Sequence, residues 1–575
     1  MSKEEIKLNP FSLEIIKDSL LAIGDEMFVA LARTSMSPII YEVLDYASGL
    51  TDKNGNLLTQ GNGVAGFIGM LSFMVKETLN KFPEEKLKEG DIIIINDPYQ
   101  GGGSHLSDVG LVLPIFHEGE LIAFSANKAH WTEVGGKDPG SFTNDAVSIF
   151  QEGLQFSCLK LYEEGKINEA LVDIIRSNVR FPDLSLGDMY AQIAALKTGE
   201  RRVKELCKKH GKNLVEAAIQ YHLDHGEKIS LQEIRKLPKG TFYAESFIDT
   251  DGLGNGPFPI KVKVKITDDE FICDFRGSSP QVPGPVNCSL TGLSAAVRVI
   301  FLAMTNPIQD VNDGVFRPLK IITDRKSILS AERPAPVSNY FETLLGGLDL
   351  VWKALAPHLS DRLSAGHYSS VCSVVLTGKH QDSEEDFLIV EPSVGGWGAS
   401  NKNDGVSGQF CVSNGETYNV PVEVAETRYG ISVEEYSMRT NDGEAGLGEF
   451  NGGRGIIRSY KALTDSQTVT VTYGRNKFLP WGVDNGHDGS PNQFYVHKVN
   501  GEVDGPYGVY ARYPLNKGDV VKLMTGTGGG YGDPLNRKPE SVVNDVKNGI
   551  YSKEIAEKVF KVSVNENNWT YESYR

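Results

Sequence analysis

The stretch "DIIIINDPYQGGGSHLSDVGLVLPIFHEGELIAFSANKAHW", residues 91–131, decides how the first part of this chain folds. Its three apolar runs, "IIII", "VGLVLPIF" and "LIAFSANKAHW", have the length and composition of buried strands. The turn-forming sequence "HEGE" separates the second run from the third, so we expect these two strands to pair as neighbours. The loop before them contains three consecutive glycines, which permit a tight turn with little side-chain bulk.

Side chains that bind metals or transfer protons lie at the ends of these predicted strands. Asp97, His105 and Asp108 fall in the glycine-containing loop, and His130 closes the third strand. If the second and third strands pair, the two histidines converge at one end of the sheet. Two imidazoles with one or two carboxylates suit Zn²⁺, Mn²⁺ or Fe²⁺. The alternative explanation is a set of core histidines, capping aspartates and ordinary Asp-Pro turn chemistry.

The remainder of the chain predicts a mixed α+β protein with several domains. We expect helices over 8–35, 66–86, 165–180 and 188–237, and a hairpin at "KNGN" around Asn54-Gly55. The composition divides the chain into three regions: an α+β region over 1–237 that carries the candidate site, a β-rich region over 238–365 with inserted helices around 291–305 and 341–357, and a glycine-rich β region over 366–575 that ends in a helix over 538–561.

Composition excludes several classes of protein. A net charge of −17 argues against general binding to a phosphate backbone. No apolar run approaches the length that spans a bilayer, and six cysteines without a CxxC pair indicate reduced thiols and a cytoplasmic location. The glycine clusters "NGGRG" and "GTGGGYGDP" lack the Lys-[Ser/Thr] of a Walker A loop, and no GxSxG is present. We therefore expect the nucleophile to be water or a substrate carbanion.

Several motifs together resemble the hydantoinase B family. They are "LDYASGLTDKNGNLLTQ", "NDPYQGGGSHLSDVGLVLPIF", "AHWTEVGGKDPGSF", "RPAPVSNYFET", "GHYSS", "GGWGA", "NGGRGIIR" and "TGTGGGYGDPLNR". They follow in the family's order over nearly the whole chain. The family includes subunits of hydantoinases, caprolactamases and ketone carboxylases, and the C-terminal half of 5-oxoprolinase.

The resemblance implies an enzyme subunit with a separate hydantoinase A-type partner, which binds ATP and phosphorylates the substrate. It also implies that this chain holds one divalent metal, Zn²⁺ or Mn²⁺ or else Fe²⁺, at Asp45, His105, Asp108 and His130. One segment departs from the family. Many relatives have a histidine-rich segment after the first hairpin, whereas this chain reads "GVAGFIG" at 63–69, so the substrate pocket is expected to differ.

Three functions follow from these observations. The first is ATP-dependent hydrolysis of a cyclic amide of the hydantoin, lactam or 5-oxoproline type, the second is ATP-dependent carboxylation of a ketone, and the third is a non-catalytic assembly role. In the hydrolytic reaction Asp108 would ligate the metal or act as general base. Glu133, three residues after His130, is the rival base, and an exposed loop carboxylate is the alternative explanation for it.

Overall fold

The computed structural model describes residues 9–61, 63–67, 69–305, 311–415, 417–440, 443 and 445–575. Its helices are α1 (Pro10–Thr34), α2 (Pro38–Tyr41), α3 (Met70–Lys81), α4 (Glu169–Asn178), α5 (Pro182–His210), α6 (Lys212–Ile234), α7 (Leu290–Thr305), α8 (Tyr340–Leu355), α9 (Val422–Arg428), α10 (Pro539–Lys547) and α11 (Lys553–Phe560).

The strands occur along the whole described chain. The first eleven are β1 (Tyr46–Asp52), β2 (Leu57–Gln60), β3 (Ile92–Ile95), β4 (Asp108–His117), β5 (Glu120–His130), β6 (Leu159–Glu163), β7 (Lys166–Ile167), β8 (Gly240–Ile248), β9 (Phe258–Ile266), β10 (Phe271–Asp274) and β11 (Leu319–Ile322). The others are β12 (Ser373–Lys379), β13 (Asp386–Glu391), β14 (Ile431–Met438), β15 (Ile456–Ala462), β16 (Gln467–Thr472), β17 (Gln493–His497), β18 (Val503–Tyr507), β19 (Val509–Leu515), β20 (Val520–Met524), β21 (Val562–Asn565) and β22 (Thr570–Ser573). The mixed α+β architecture is confirmed.

Packing divides the chain into two compact units. The first contains Met1–Thr241, Lys263–Leu344 and Ser413–Tyr418, and the second contains Phe242–Val262, Leu345–Val412 and Asn419–Arg575. The division interleaves segments of the chain. The three contiguous regions expected from composition, 1–237, 238–365 and 366–575, stay a prediction.

The first unit is built on a seven-stranded sheet in the order β2-β1-β5-β4-β3-β6-β7. Its strand pairs are antiparallel, and the predicted pairing of the two strands on either side of "HEGE" is confirmed, with Asp108 opposite His130. The hairpin predicted at Asn54-Gly55 joins β1 to β2. Because β5 has β1 on one side and β4 on the other, the last residue of β5 lies between two neighbouring strand ends.

Both faces of this sheet are covered by helices. Successive side chains of a strand point to opposite faces, so neighbouring residues of β5 contact different helices. On one face, Phe124 and Ala126 of β5 pack in an apolar cluster with Met74 and Val75 of α3. On the other face, Asn127 donates a hydrogen bond to the backbone oxygen of Gln192 in α5. The sheet is therefore an interior layer, and polar groups at its end are shielded from water.

The long helices follow the predicted apolar spacing, but two predicted helices are interrupted. The helix expected over 8–35 is α1, whose first turn is capped by the Asn9 side chain; residue 8 lies outside the described residues. The helix expected over 188–237 is α5 and α6, which meet at Gly211 with φ of 83°. Glycine adopts this left-handed conformation without steric cost, so it ends one helix and starts the next. The helix expected over 538–561 is likewise α10 and α11, separated at Asn548-Gly549.

The remaining sheets are smaller. Their strand orders are β11-β10-β9-β8, β13-β12-β16-β19, β14-β15-β20-β17-β18 and β21-β22. In the second unit the glycine clusters bring backbones into close contact. A Cβ at Gly528 would lie 2.1 Å from the Trp397 carbonyl oxygen, and the Gly528 N–H donates to the Gly453 carbonyl at 3.0 Å.

All six cysteines are buried, and none of them forms a disulfide within the described residues, as expected for reduced thiols. Among the described helices, none combines the length and the apolar character that crossing a membrane requires.

Candidate metal centre

The four residues implied as metal ligands lie at one end of the sheet. Asp45, His130 and Asp108 lie side by side at three neighbouring strand ends and form a row across the sheet, and His105 lies next to this row. Asp108, the first residue of β4, is directly opposite His130, the last residue of β5. Asp45 immediately precedes β1, and its carbonyl accepts a hydrogen bond from the His130 N–H at 3.0 Å. His105 reaches the row from the loop before β4. The glycine-containing loop and the strand register thus bring the predicted residues to one end of the sheet.

The side chains of His105, Asp108 and His130 form a group that can hold a metal ion. One ligand atom from each residue lies within 4.8 Å of the others. The His105 Nε2 atom is 3.4 Å from Asp108 Oδ1, and the two imidazole rings are 5.0 Å apart between centroids. All three side chains are buried, whereas Asp45 is partly exposed.

The ring of His105 is oriented by the backbone of a distant segment. Its Nδ1 atom lies 2.9 Å from the Ser338 carbonyl oxygen. A carbonyl only accepts, so Nδ1 carries a proton, and Nε2 is the ring atom that faces the group. The buried Glu152 carboxylate accepts from the N–H groups of Val337 and Ser338, at 2.7 and 2.9 Å, and so fixes that carbonyl.

Three polar atoms of this group have no hydrogen-bond partner among the described residues. They are Asp108 Oδ1 and both ring nitrogens of His130. Buried polar atoms in native proteins nearly always have a partner. A divalent cation would satisfy the carboxylate oxygen and a histidine nitrogen together, and the donor set of two imidazoles and a carboxylate suits Zn²⁺, Mn²⁺ or Fe²⁺. The donor atoms present therefore fit a metal.

The electrostatics of the group place negative charge on one carboxylate. Burial would raise the pKa of Asp108, but His105 beside it lowers that pKa well below its usual range. Burial and the neighbouring His105 lower the pKa of His130 to about 4, so this imidazole is neutral and able to donate a lone pair. Desolvation and the charge of Asp108 raise the pKa of Asp45 to about 7. Burial would lower the pKa of His105, but the neighbouring Asp108 carboxylate raises it. A divalent cation at the group would therefore take the place of the proton on His105 Nε2.

Three aromatic residues contribute to the site from positions that sequence reasoning did not identify. The Tyr340 hydroxyl donates to Asp108 Oδ2 at 3.3 Å, and the rings of Phe142, Tyr340 and Phe341 surround His105. The motif "PVSNYFET" contains Tyr340 and Phe341, but its distance along the chain gave no sign of the contact.

Behind the row, the Gln192 side chain of α5 joins the two central strands. Its Oε1 accepts from Trp131 Nε1 at 2.7 Å, and its Nε2 donates to the Val109 carbonyl at 2.9 Å and to Asn127 Oδ1 at 3.1 Å. Trp131 and Val109 are the chain neighbours of His130 and Asp108. Gln192 therefore fixes the spacing of the row from the opposite face, and sequence reasoning missed it.

Glu133 lies apart from this group and is engaged elsewhere. It is fully buried, so the alternative of an exposed loop carboxylate is wrong. Its carboxylate accepts from the Arg180 backbone N–H and, at 2.8 Å, from the Arg180 guanidinium. Its role as a general base stays a prediction.

The segment that departs from the family lies against a buried lysine. Within 63–69, Ile68 is outside the described residues. The ring of Phe67 has Lys128 Nζ 6.0 Å from its centroid, and burial lowers the pKa of Lys128 to about 8.

A sequence profile for "Hydantoinase B/oxoprolinase" matches residues 9–534. The chain belongs to the hydantoinase B/oxoprolinase family.

The similarity to other family members extends over whole chains. An uncharacterised protein of Methanocaldococcus jannaschii is 34% identical over 97% of this chain and 96% of its own length. A protein of Pseudomonas sp. strain NS671, named provisionally as one subunit of a D-/L-hydantoinase, is 32% identical, again over 97% of this chain and 96% of its own. The crystal structure of an ATP-dependent caprolactamase from Pseudomonas jessenii superposes with a TM-score of 0.90 at 26% identity, covering 98% of this chain and 97% of that one.

Proposed function

We propose that this chain is the metal-containing subunit of an ATP-dependent cyclic amide hydrolase. Its substrate would be a hydantoin, a lactam or 5-oxoproline, phosphorylated by a hydantoinase A-type partner subunit. One observation carries the proposal: the buried group of His105, Asp108 and His130 occurs in a chain that shares its full-length fold with an ATP-dependent caprolactamase. The Pseudomonas relative named as one subunit of a hydantoinase supports a separate partner.

The chemistry explains why ATP and a metal would act together. Resonance stabilises a cyclic amide, and water attacks it slowly. Transfer of a phosphoryl group to the amide oxygen makes the ring carbon electrophilic and supplies a good leaving group. Opening the ring C–N bond, with a proton added to nitrogen, consumes one water, and release of phosphate consumes a second. The products are an open-chain amino acid or carbamoyl amino acid, ADP and phosphate.

We assign the metal to Asp45, His105, Asp108 and His130. When bound, a divalent ion supplies a Lewis acid that lowers the pKa of water toward neutrality. Within the chain, the Ser338 carbonyl fixes the tautomer of His105. Asp108 Oδ2 is engaged by Tyr340, which leaves Oδ1 to hold the cation or to accept the proton of the attacking water.

The surroundings would favour this chemistry. The aromatic side chains around His105 exclude bulk water, and a dry site strengthens each electrostatic interaction within it. Because the Glu133 carboxylate is shared with Arg180, Asp108 is better placed than Glu133 to take the proton. We further propose that ATP binds to the partner. We also propose that the protein is cytoplasmic, since its six cysteines are buried and form no disulfide within the described residues.

Co-expression with a hydantoinase A-type subunit tests the proposal. The purified complex is incubated with ATP and with hydantoins, lactams or 5-oxoproline, and ADP and ring-opened product are quantified. The expected result is ring opening that depends on ATP, on the partner and on His130. A parallel series offers ketones with bicarbonate. Carboxylation of a ketone without any ring opening would contradict the assignment, as would inactivity of a complex with full metal content toward the whole cyclic amide panel.

A further inference from the structure

Lys128 is a buried cation that the proposed metal site does not use. It lies in β5, and its side chain is 1% exposed. Lysine is almost never fully buried without a partner, because removing an ammonium from water is costly. Among the described residues, no hydrogen bond or close ion pair engages its Nζ atom, which lies over the Phe67 ring, 6.0 Å from the centroid. A buried ammonium of this kind is suited to a ligand that supplies the missing negative oxygen.

The strand register places Lys128 next to the candidate metal group. Lys128 precedes His130 by two positions in β5, so both side chains point to the same face of the sheet. Across the ladder, Lys128 is opposite Gly110 of β4 and Ala47 of β1. Two strand residues span roughly 7 Å. A ligand held at the metal group is therefore within reach of the ammonium.

Two carboxylates act on the charge of Lys128. The carboxylates whose charges act on Lys128 are Asp108, in the metal group, and Asp97, at the start of the glycine-containing loop. Asp97 also lines a cleft of 950 Å³ together with Tyr99 and Arg333. A divalent cation at the metal group would take up the charge of Asp108, which would leave Asp97 as the remaining carboxylate that acts on Lys128.

We propose that Lys128 Nζ binds a phosphoryl oxygen of the activated substrate and holds it beside the metal. This inference rests on the proposed function, which delivers a phosphorylated cyclic amide to this subunit. Lysine is a compact point charge with three donors, and this chemistry suits phosphoryl oxygens. The bound phosphate would leave from the same position after ring opening. Lys128 is thereby a substrate-binding residue rather than a metal ligand.

The test uses inorganic phosphate as the probe and the full chain loaded with Mn²⁺. The ³¹P relaxation rate of phosphate is measured with wild type, Lys128→Met, Lys128→Arg and the surface control Lys197→Met, and metal content is determined for each sample. Loss of one charge-assisted hydrogen bond corresponds to a roughly 10- to 100-fold weaker affinity. We expect that weakening in Lys128→Met at unchanged Mn²⁺ content, wild-type affinity in Lys197→Met and substantial recovery in Lys128→Arg.

Two results would overturn the inference. One is phosphate binding by Lys128→Met that is as tight as by wild type. The other is an equal loss of affinity for acetate in Lys128→Met, which would indicate a site for carboxylates. If Lys128→Met is not folded, the affinity of Lys128→Arg for phosphate is the test. Because this variant keeps the positive charge, it must still bind phosphate, and loss of binding would overturn the inference. A failure of the proposed metal site has a different signature, because wild type would then contain no Mn²⁺. Calorimetric titration of the metal-free chains with phosphate would still distinguish wild type from Lys128→Met.

Discussion

Replacement of Gln192 by alanine is predicted to destabilise the first unit, because this side chain links β4 and β5 directly behind the candidate metal group. The substitution removes three buried hydrogen bonds, to Trp131, Val109 and Asn127, of 2.7, 2.9 and 3.1 Å. Each such bond contributes about 1 kcal/mol, and each buried group left unpaired costs about 1–3 kcal/mol. We therefore expect Gln192→Ala to lower the free energy of unfolding by about 3–5 kcal/mol.

For a unit of this size, that change corresponds to a fall in melting temperature of about 4–7 °C. Scanning calorimetry of wild type and Gln192→Ala measures it, with Gln220→Ala as the matched control. Gln220 is exposed, and its one side-chain hydrogen bond among the described residues is to Asp224, at 2.8 Å. Its substitution should therefore shift the melting temperature by about 1 °C or less. A Gln192→Ala protein as stable as the control would refute the role of Gln192 in supporting the site.

Three further outcomes are expected. In the reconstituted complex, Asp108→Asn should still consume ATP while product formation falls by at least about 100-fold; a strictly proportional loss of both would mean that the site is needed before phosphoryl transfer. The isolated chain should not hydrolyse ATP, because its glycine clusters lack a Walker A lysine, and partner-free ATPase activity would contradict this. Burial raises the pKa of Asp188 to about 6, so the folded state takes up a proton at higher pH than the unfolded state. The free energy of unfolding of wild type should therefore rise by about 1–3 kcal/mol relative to Asp188→Asn as pH falls from about 7 to about 4.5. A difference between the two proteins that does not change with pH would be inconsistent with this.

The sequence allowed the pairing of β4 with β5 to be predicted, because "HEGE" gives a short connection between two apolar runs. That pairing alone places His130 opposite Asp108. The role of Asp45 as a metal ligand followed only from the family resemblance, since nothing in the spacing of Asp45 shows that the strand after it pairs with β5. Ser338 and Tyr340 lie more than 200 positions from the residues they contact, and such long-range contacts leave no local pattern.

The interrupted helices show a different limit. An apolar period continues through "KKHGKNLVE", and the period alone cannot show that Gly211 adopts a left-handed conformation. The glycine itself was the available signal, since helices commonly end at such a residue. The burial of Glu133 was missed because its partner, Arg180, is 47 positions away.

The most direct test of the proposed metal site is the metal content of the purified chain. Mass spectrometric metal analysis is applied to wild type, His105→Ala and His130→Ala, with His225→Ala as a control on an exposed helix position. We expect about one divalent ion per chain in wild type and in His225→Ala, and loss of that ion in His105→Ala and His130→Ala. Equal metal content in all four proteins would contradict it.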